Sequence, residues 1–90
     1  MTTALHWRHK VAEPGAMYRQ LYPQARANAD GWALVCCPFH DDTRASLSIN
    51  FVHGGWRCFA ACGSGDLVAF SMKYHGVDFP EALRLLVATQ

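Results

Sequence analysis

Three thiols and one imidazole stand in two short clusters of this chain. Cys37 and His40 have two residues between them, and Cys58 and Cys62 have three. Thiolates and imidazoles are the ligands of closed, tetrahedral zinc sites, and two donors this close together on a turn can both point at one ion. The spacing therefore predicts one structural Zn²⁺ bound by Cys37, His40, Cys58 and Cys62.

Other interpretations of these side chains stay open at this point. The cysteines can be buried free thiols beside a surface histidine, or they can pair as disulfides, although the N-terminus has no apolar signal-peptide core. Cys36 is the fourth cysteine, and on an alternating strand it points away from Cys37, so we interpret it as a small core residue. The alternative is that it replaces one of the four ligands. Asp41 and Asp42 are interpreted as a solvated turn that can orient the His40 imidazole.

Size and composition indicate one small globular domain. The chain has 90 residues, of which 51% are hydrophobic, and its formal net charge of +1 weighs against a strongly basic, non-specific DNA binder. A core of this size yields roughly 3–5 kcal/mol of net stability, whereas structural Zn²⁺ contributes on the order of 10–16 kcal/mol in small peptides. The metal is therefore expected to be part of the folding energetics. The apolar runs are too short to span a membrane, and metal-binding thiols predict a cytoplasmic protein.

Alternating apolar and polar residues predict a sheet that brings the two clusters together. Strands are expected at about residues 32–37, 46–52 and 55–59. Leu47, Ile49 and Phe51 alternate with polar neighbours in the second of them, and Gly54 and Gly55 suit a tight reversal after it. Such a meander places the ligands where strands enter their turns, which is the architecture of a zinc ribbon.

Helices are expected on either side of this sheet. They are predicted at residues 16–22, from Leu67 to about His75 after the cap Asp66, and to about Ala88 after a capping box at Asp78. The apolar faces of the last two are expected to pack on the sheet, and residues 63–65 to form a flexible knuckle. The predicted fold class is small α+β, a zinc ribbon on an antiparallel sheet of about three to four strands flanked by helices.

The motif Cys36-Cys37-Pro38-Phe39-His40, with Trp56-Arg57-Cys58-Phe59 and Cys62-Gly63-Ser64-Gly65-Asp66 downstream, resembles a known domain. It is similar to the CHC2 zinc-binding domain of DnaG-type DNA primases from bacteria, phages and plasmids. The resemblance covers about residues 14–90, so residues 1–13 are interpreted as an N-terminal arm. It implies a zinc ribbon that recognises single-stranded template during RNA primer synthesis, and it implies the same four zinc ligands.

Two segments depart from the family pattern. The family usually has Cys-Phe-Gly-Cys-Gly, whereas here Ala61 stands at the place of the second cysteine and Cys62 follows it. The distance from Cys58 to Asp66 still matches, so the knuckle is shifted in register. The family's Lys-Thr-Pro-Ser-Phe segment reads Thr-Arg-Ala-Ser-Leu here, at residues 43–47, which displaces or removes one cation and one aromatic ring from the expected DNA face.

A protein that reads single strands needs aromatic rings and cations along one path. The candidate nucleic-acid-binding residues are Arg44, Arg57, Phe59 and His53, with Lys73 as an outlying one. A competing interpretation places Trp32, Trp56 and Phe59 in the core and treats the arginines as solvated. The basic cluster around Trp7 is either a second contact or a frayed end.

Together with these candidate residues, the resemblance implies an accessory domain that binds single-stranded DNA and assists priming. It would act with a separate catalytic primase domain or a polymerase in trans, and a helicase is a further expected partner. The chain has only seven acidic residues, without a cluster for the Mg²⁺ ions of nucleotidyl transfer, so it is expected to be non-catalytic by itself. The alternative is a protein-interaction zinc ribbon of a phage or mobile element that docks on replication machinery without reading DNA.

Overall fold

The computed structural model describes residues 7–40, 44–60 and 62–90. In these ranges the elements are α1 (Ala16–Leu21), β1 (Trp32–Val35), β2 (Leu47–Asn50), β3 (Trp56–Cys58), β4 (Gly63–Gly65), α2 (Leu67–His75) and α3 (Phe79–Ala88). The strands form one antiparallel sheet in the order β1-β2-β3-β4. None of the helices described is both long and apolar enough to cross a bilayer. This arrangement confirms the predicted small α+β fold.

Two asparagines organise the turns that bring the first three strands side by side. In the turn predicted before β1, the Asn28 side chain accepts the backbone N–H groups of Asp30 and Trp32 at 3.0 Å each. Asn50, at the end of β2, is fully buried, and its Oδ1 accepts the N–H of His53 at 2.9 Å. Its Nδ2 donates to the Asp30 carbonyl at 3.1 Å. One side chain therefore ties the β2–β3 hairpin to the turn before β1.

The fourth strand is formed by the segment that the sequence indicated as a flexible knuckle. Gly63–Gly65 pairs antiparallel with β3, so that interpretation is wrong. The buried Trp56 indole lies against both end glycines, because a Cβ on Gly63 would lie 3.3 Å and a Cβ on Gly65 3.5 Å from its ring atoms. The indole Nε1 also donates to the Asp66 carbonyl at 2.9 Å. Because glycine has no side chain, the Trp56 ring can pack directly on β4, and its hydrogen bond to Asp66 holds it there.

The last two helices begin and end where the sequence predicted. Asp66 caps α2 by accepting a backbone N–H at 2.8 Å, and Gly76 ends the helix in the left-handed conformation at φ 67°. Asp78 caps α3 by accepting the N–H of Glu81 at 3.2 Å. The Glu81 carboxylate binds the Arg84 guanidinium at 2.8 Å instead of closing the predicted capping box.

Helix α2 lies between the sheet and α3. Its fully buried Phe70 contacts the rings of Tyr18 on α1 and Trp56 on β3, at centroid distances of 5.0 and 5.6 Å. On the other side of α2, the Ser71 hydroxyl donates to the Ala82 carbonyl in α3 at 3.2 Å. Helix α3 therefore packs chiefly on α2, which corrects the expectation that the apolar faces of both helices pack on the sheet.

The segment before α1 contributes to the same core. Trp7 and Val11 fall within the predicted N-terminal arm, yet both are buried. The Trp7 indole donates to a carboxylate oxygen of Asp66 at 3.3 Å, and the Arg8 guanidinium lies 4.5 Å from the centre of that indole. This part of the basic cluster is packed and not frayed, while His6 lies outside the described residues. The domain boundary at residue 14 stays a prediction.

Asp66→Ala is expected to lower the free energy of unfolding by about 1–2 kcal/mol, because it removes both the cap of α2 and the acceptor of the Trp7 indole. Urea unfolding of the zinc-loaded protein measures the change. Asp78→Ala is the matched control, since it removes the cap bond of α3 at an exposed position and is expected to cost less. Equal losses in the two variants would contradict the additional role of Asp66.

Candidate metal centre and open sheet face

Cys37, His40, Cys58 and Cys62 come together in the fold. Their ligand atoms all lie within 4.8 Å of one another, and Nδ1 of His40 lies 2.7 Å from Sγ of Cys62. Among the described residues, this is the one group of three or more Cys, His, Asp or Glu side chains close enough to hold a metal ion. The structure therefore assembles the same four residues that the spacing predicted.

The sheet explains why two clusters far apart in sequence meet. Cys37 follows the end of β1 by two residues, and Cys58 is the last residue of β3. Strand β2 lies between these strands, and its Leu47 pairs with Val35 on one side and with Cys58 on the other. Cys62 directly precedes β4, the neighbour of β3. Both clusters therefore lie at the same end of the sheet.

Burial and backbone N–H groups set the protonation of these thiols. Burial raises the pKa of Cys37 to about 11, against an opposing effect from the Phe39 N–H, which donates to its sulfur at 3.4 Å. Burial also acts to raise the pKa of Cys58, but the backbone N–H groups of Cys62 and Ala60 and the neighbouring thiols bring it down to about 7. Cys58 therefore loses its proton to a bound cation more readily than a thiol whose pKa is raised.

These residues fit a zinc ion. Tetrahedral Zn²⁺ with bonds of about 2.0–2.3 Å holds its ligand atoms about 3.5–3.8 Å apart, which lies between the 2.7 Å of the His40–Cys62 contact and the 4.8 Å limit of the donor group. A divalent cation deprotonates coordinating thiols, which offsets the burial that raises the pKa of Cys37. Four protein donors also close the coordination shell, as in structural sites. The cluster thus matches the single structural Zn²⁺ predicted from the sequence.

Cys36 is exposed, so its interpretation as a small core residue is wrong. It does point away from the buried Cys37, and it lies outside the metal-binding group, so it does not replace a ligand. Asp41 and Asp42, interpreted from the sequence as a turn beside the imidazole, lie outside the described residues.

Within residues 7–40, 44–60 and 62–90, no helix covers one face of the sheet, which is called the open face below. A row across all four strands on this face consists of Leu34, Ser48, Arg57 and Ser64. Leu34 is 57% exposed, and Arg57 and Ser64 are exposed as well. The alternate residues of the same strands, such as Ile49 and Trp56, are buried against the core that contains α2. The sheet therefore has one covered face and one face available to a ligand.

Arg57 and Phe59 form a pair on the open face. The guanidinium carbon of Arg57 lies 5.5 Å from the ring centroid of Phe59, and that ring is 63% exposed. The Phe59 N–H donates to the Ser46 carbonyl at 2.7 Å, which holds the residue beside the sheet. Arg44 is also exposed, in the segment that enters β2. The core interpretation is therefore wrong for Phe59, although it is right for Trp56.

Trp32 is the residue of this face that the sequence interpretation missed. It is only partly buried, and the ring of the exposed His53 meets it edge to face at 5.3 Å between centroids. The signal that could have found it is parity, because Trp32 shares its side of β1 with the exposed Leu34. The competing assignment of Trp32 to the core is thus corrected.

Lys73 lies apart from the other candidates. It is exposed on α2, and its Nζ lies 5.2 Å from the ring centroid of Phe39. Phe39 itself packs against Phe70 in the core, so this contact is on the helical side of the sheet. The fold brings Arg57 and Phe59 together on the open face, and it does not bring Lys73 to them.

Comparison with known proteins gives one family match. The model of the CHC2 zinc finger matches residues 19–90. Proteins named DNA primase are similar to the chain, with 42% identity over 53 residues in Helicobacter pylori and 41% over 61 residues in Mycolicibacterium smegmatis. These alignments cover 59% and 68% of the chain but only 10% and 9% of the relatives, so the chain spans about a tenth of their length. No solved structure gives a significant match.

Proposed function

Because this chain belongs to the CHC2 zinc finger family, we propose that it is the zinc-ribbon module of a DNA primase and binds single-stranded template through its open sheet face. It assists template recognition and RNA primer synthesis in the cytoplasm. Nucleotidyl transfer belongs to a separate catalytic domain or to a polymerase in trans, and a helicase is a further partner. The zinc ion, when bound, holds the Cys37–His40 and Cys58–Cys62 segments together at one end of the sheet.

One observation carries this proposal: a guanidinium lies beside an exposed aromatic ring on the face that the core leaves uncovered. The Phe59 ring offers a π-face to a base, and the Arg57 guanidinium offers a cation to the neighbouring phosphate. Arg44 adds a second exposed cation near the start of β2. Stacking and phosphate contacts of this kind suit a single strand, whose bases are free to turn toward a protein surface.

Lys73 belongs to the proposal only as an outlying contact. Its ammonium lies beside Phe39. Burial raises the pKa of the nearby Cys62 thiol, and the positive charge of Lys73 opposes this rise only weakly. Single-stranded DNA bound on the open face would reach Lys73 only after it passes the Cys58–Cys62 segment.

The alternative function is a protein-interaction zinc ribbon that docks on replication machinery without reading DNA. Such a module would need the same metal centre but no aromatic and cationic pair on an exposed sheet. The relatives named DNA primase favour the first function over this alternative.

Arg57→Ala is expected to weaken binding of single-stranded DNA roughly 10-fold at low salt and to reduce the salt dependence by about one released counterion. Fluorescence anisotropy of a labelled oligothymidylate, titrated with zinc-loaded protein at two salt concentrations, measures both effects.

The matched control is Arg19→Ala. It removes the same charge from a similar pair, since the Arg19 guanidinium lies 5.9 Å from the ring centroid of Phe51, but it does so on α1. Binding close to wild type is expected for this variant. If the wild-type protein does not bind at low salt, or if both variants lose affinity equally, the proposed DNA-binding role fails.

A further inference from the structure

We propose that Trp32 and His53 form a second base-stacking platform on the open sheet face, diagonally opposite Phe59. The inference rests on the proposed function and deepens it, because it defines the ligand as a single strand long enough to reach both platforms. It also assigns the role of a base contact to Trp32, for which the sequence analysis favoured the core and which is not among the predicted DNA contacts.

The orientation of Trp32 supports this role. Trp32 and Leu34 lie on the same side of β1, and Leu34 is 57% exposed there. The His53 ring meets the Trp32 ring at an interplanar angle of 78°. In such an edge-to-face contact, at least one face of the indole is not covered by the imidazole, so a base can stack on it.

Hydrogen bonds position both residues. The backbone N–H of Trp32 donates to the Asn28 side chain at 3.0 Å, and the backbone carbonyl of Trp32 accepts the backbone N–H of Asn28 at 2.8 Å. The His53 N–H donates to the buried Asn50 side chain, and His53 Nδ1 accepts the Gly55 N–H, each at 2.9 Å. These bonds fix the backbone of Trp32 and the imidazole of His53, which reduces the conformational entropy that is lost when a base stacks there.

The sheet register sets the separation of the two platforms. Trp32 pairs with Asn50, and the Asn50 N–H donates to Gly55, four residues before Phe59 on the next strand. With strands about 4.8 Å apart and about 3.3 Å of rise per residue, the two platforms are about 16 Å apart along the diagonal. A stacked strand advances about 3.4 Å per nucleotide, so it spans this distance in about five steps.

Charged groups on this path favour a polyanion. Arg57 lies between the platforms, because it pairs across the sheet with Ser48 and Ser64. Asp30, two residues before Trp32, is exposed at the rim of the face. Phosphates are therefore expected to pass on the Arg57 side of Trp32 and away from Asp30.

Intrinsic fluorescence tests the inference directly. Of the three tryptophans, Trp7 and Trp56 are buried, so stacking of a base should quench Trp32 alone. Titration with the octanucleotide of thymidine is expected to quench the emission, and Trp32→Phe should abolish the quenching while retaining most of the affinity. Trp32→Ala is expected to weaken binding on the order of 10-fold. The trinucleotide, too short to reach both platforms, should show no such dependence on both Trp32 and Phe59.

The controls separate this inference from the function on which it rests. Tyr74→Ala removes a partly exposed ring on α2, on the helical side, and should leave DNA binding unchanged. Octanucleotide binding that depends on Arg57 but neither quenches tryptophan nor weakens in Trp32→Ala overturns the second platform and leaves the proposed function intact. Absence of binding by the wild-type protein overturns both.

Discussion

Cys58→Ser is expected to unfold this domain under conditions in which the wild-type protein is folded. Cys58 is the one ligand within a strand, and it is buried in the metal-binding group. Loss of a ligand removes much of a binding free energy on the order of 10–16 kcal/mol, whereas a core of this size supplies only about 3–5 kcal/mol. Far-UV circular dichroism and the zinc content of the purified protein measure the result.

Cys36→Ser is the matched control for this change. It makes the same chemical substitution on an exposed thiol outside the metal-binding group. We expect this variant to keep one zinc per chain and the wild-type spectrum, and a chelator to convert wild type to the spectrum of Cys58→Ser. A folded, zinc-loaded Cys58→Ser protein would contradict the coupling of metal and fold.

Phe70→Ala is expected to lower the free energy of unfolding of the zinc-loaded domain by about 3–5 kcal/mol, which is typical for truncation of a buried phenylalanine. The Phe70 ring is fully buried where α1, the sheet and α2 meet, and it contacts Tyr18, Phe39 and Trp56 at centroid distances of 5.0, 5.1 and 5.6 Å. The cavity left by the ring cannot be filled without moving all three. Urea unfolding monitored by tryptophan emission gives the change.

Phe59→Ala makes the same truncation at a ring that is 63% exposed. We expect its effect on stability to stay within about 0.5 kcal/mol, because few contacts are lost at the surface. A loss of less than about 1 kcal/mol for Phe70→Ala would show that the core does not depend on this ring.

The Cys58–Cys62 segment shows what the spacing of residues can and cannot predict. Cys62 stands one place later than the family pattern has it, yet its sulfur joins the group within 4.8 Å and lies 2.7 Å from the His40 ring. The β3–β4 pairing explains this, because it places Gly63 opposite Cys58 and so brings Cys62 beside its partner. The residue type and approximate spacing predicted the ligand, and the strand pairing supplied the geometry.

Local sequence was sufficient for the metal ligands, the first three strands and the caps of the last two helices. Each of these depends on residues a few positions apart: two donors on one turn, alternating side chains on one strand, or an aspartate before the helix that it caps. Because these interactions join residues that are close in the chain, the sequence alone is enough to predict them.

Only the tertiary structure decided which face of the sheet is covered. Alternation places Trp32 and Leu34 on one side of β1, with Cys36 in line with them directly after the strand. All three are apolar or weakly polar, so the sequence favoured the core for Trp32 and Cys36. The helices pack on the other side, and the same side chains lie on the open face instead. The assignment of a face depends on where distant α2 packs, and period-2 alternation contains no information about that contact.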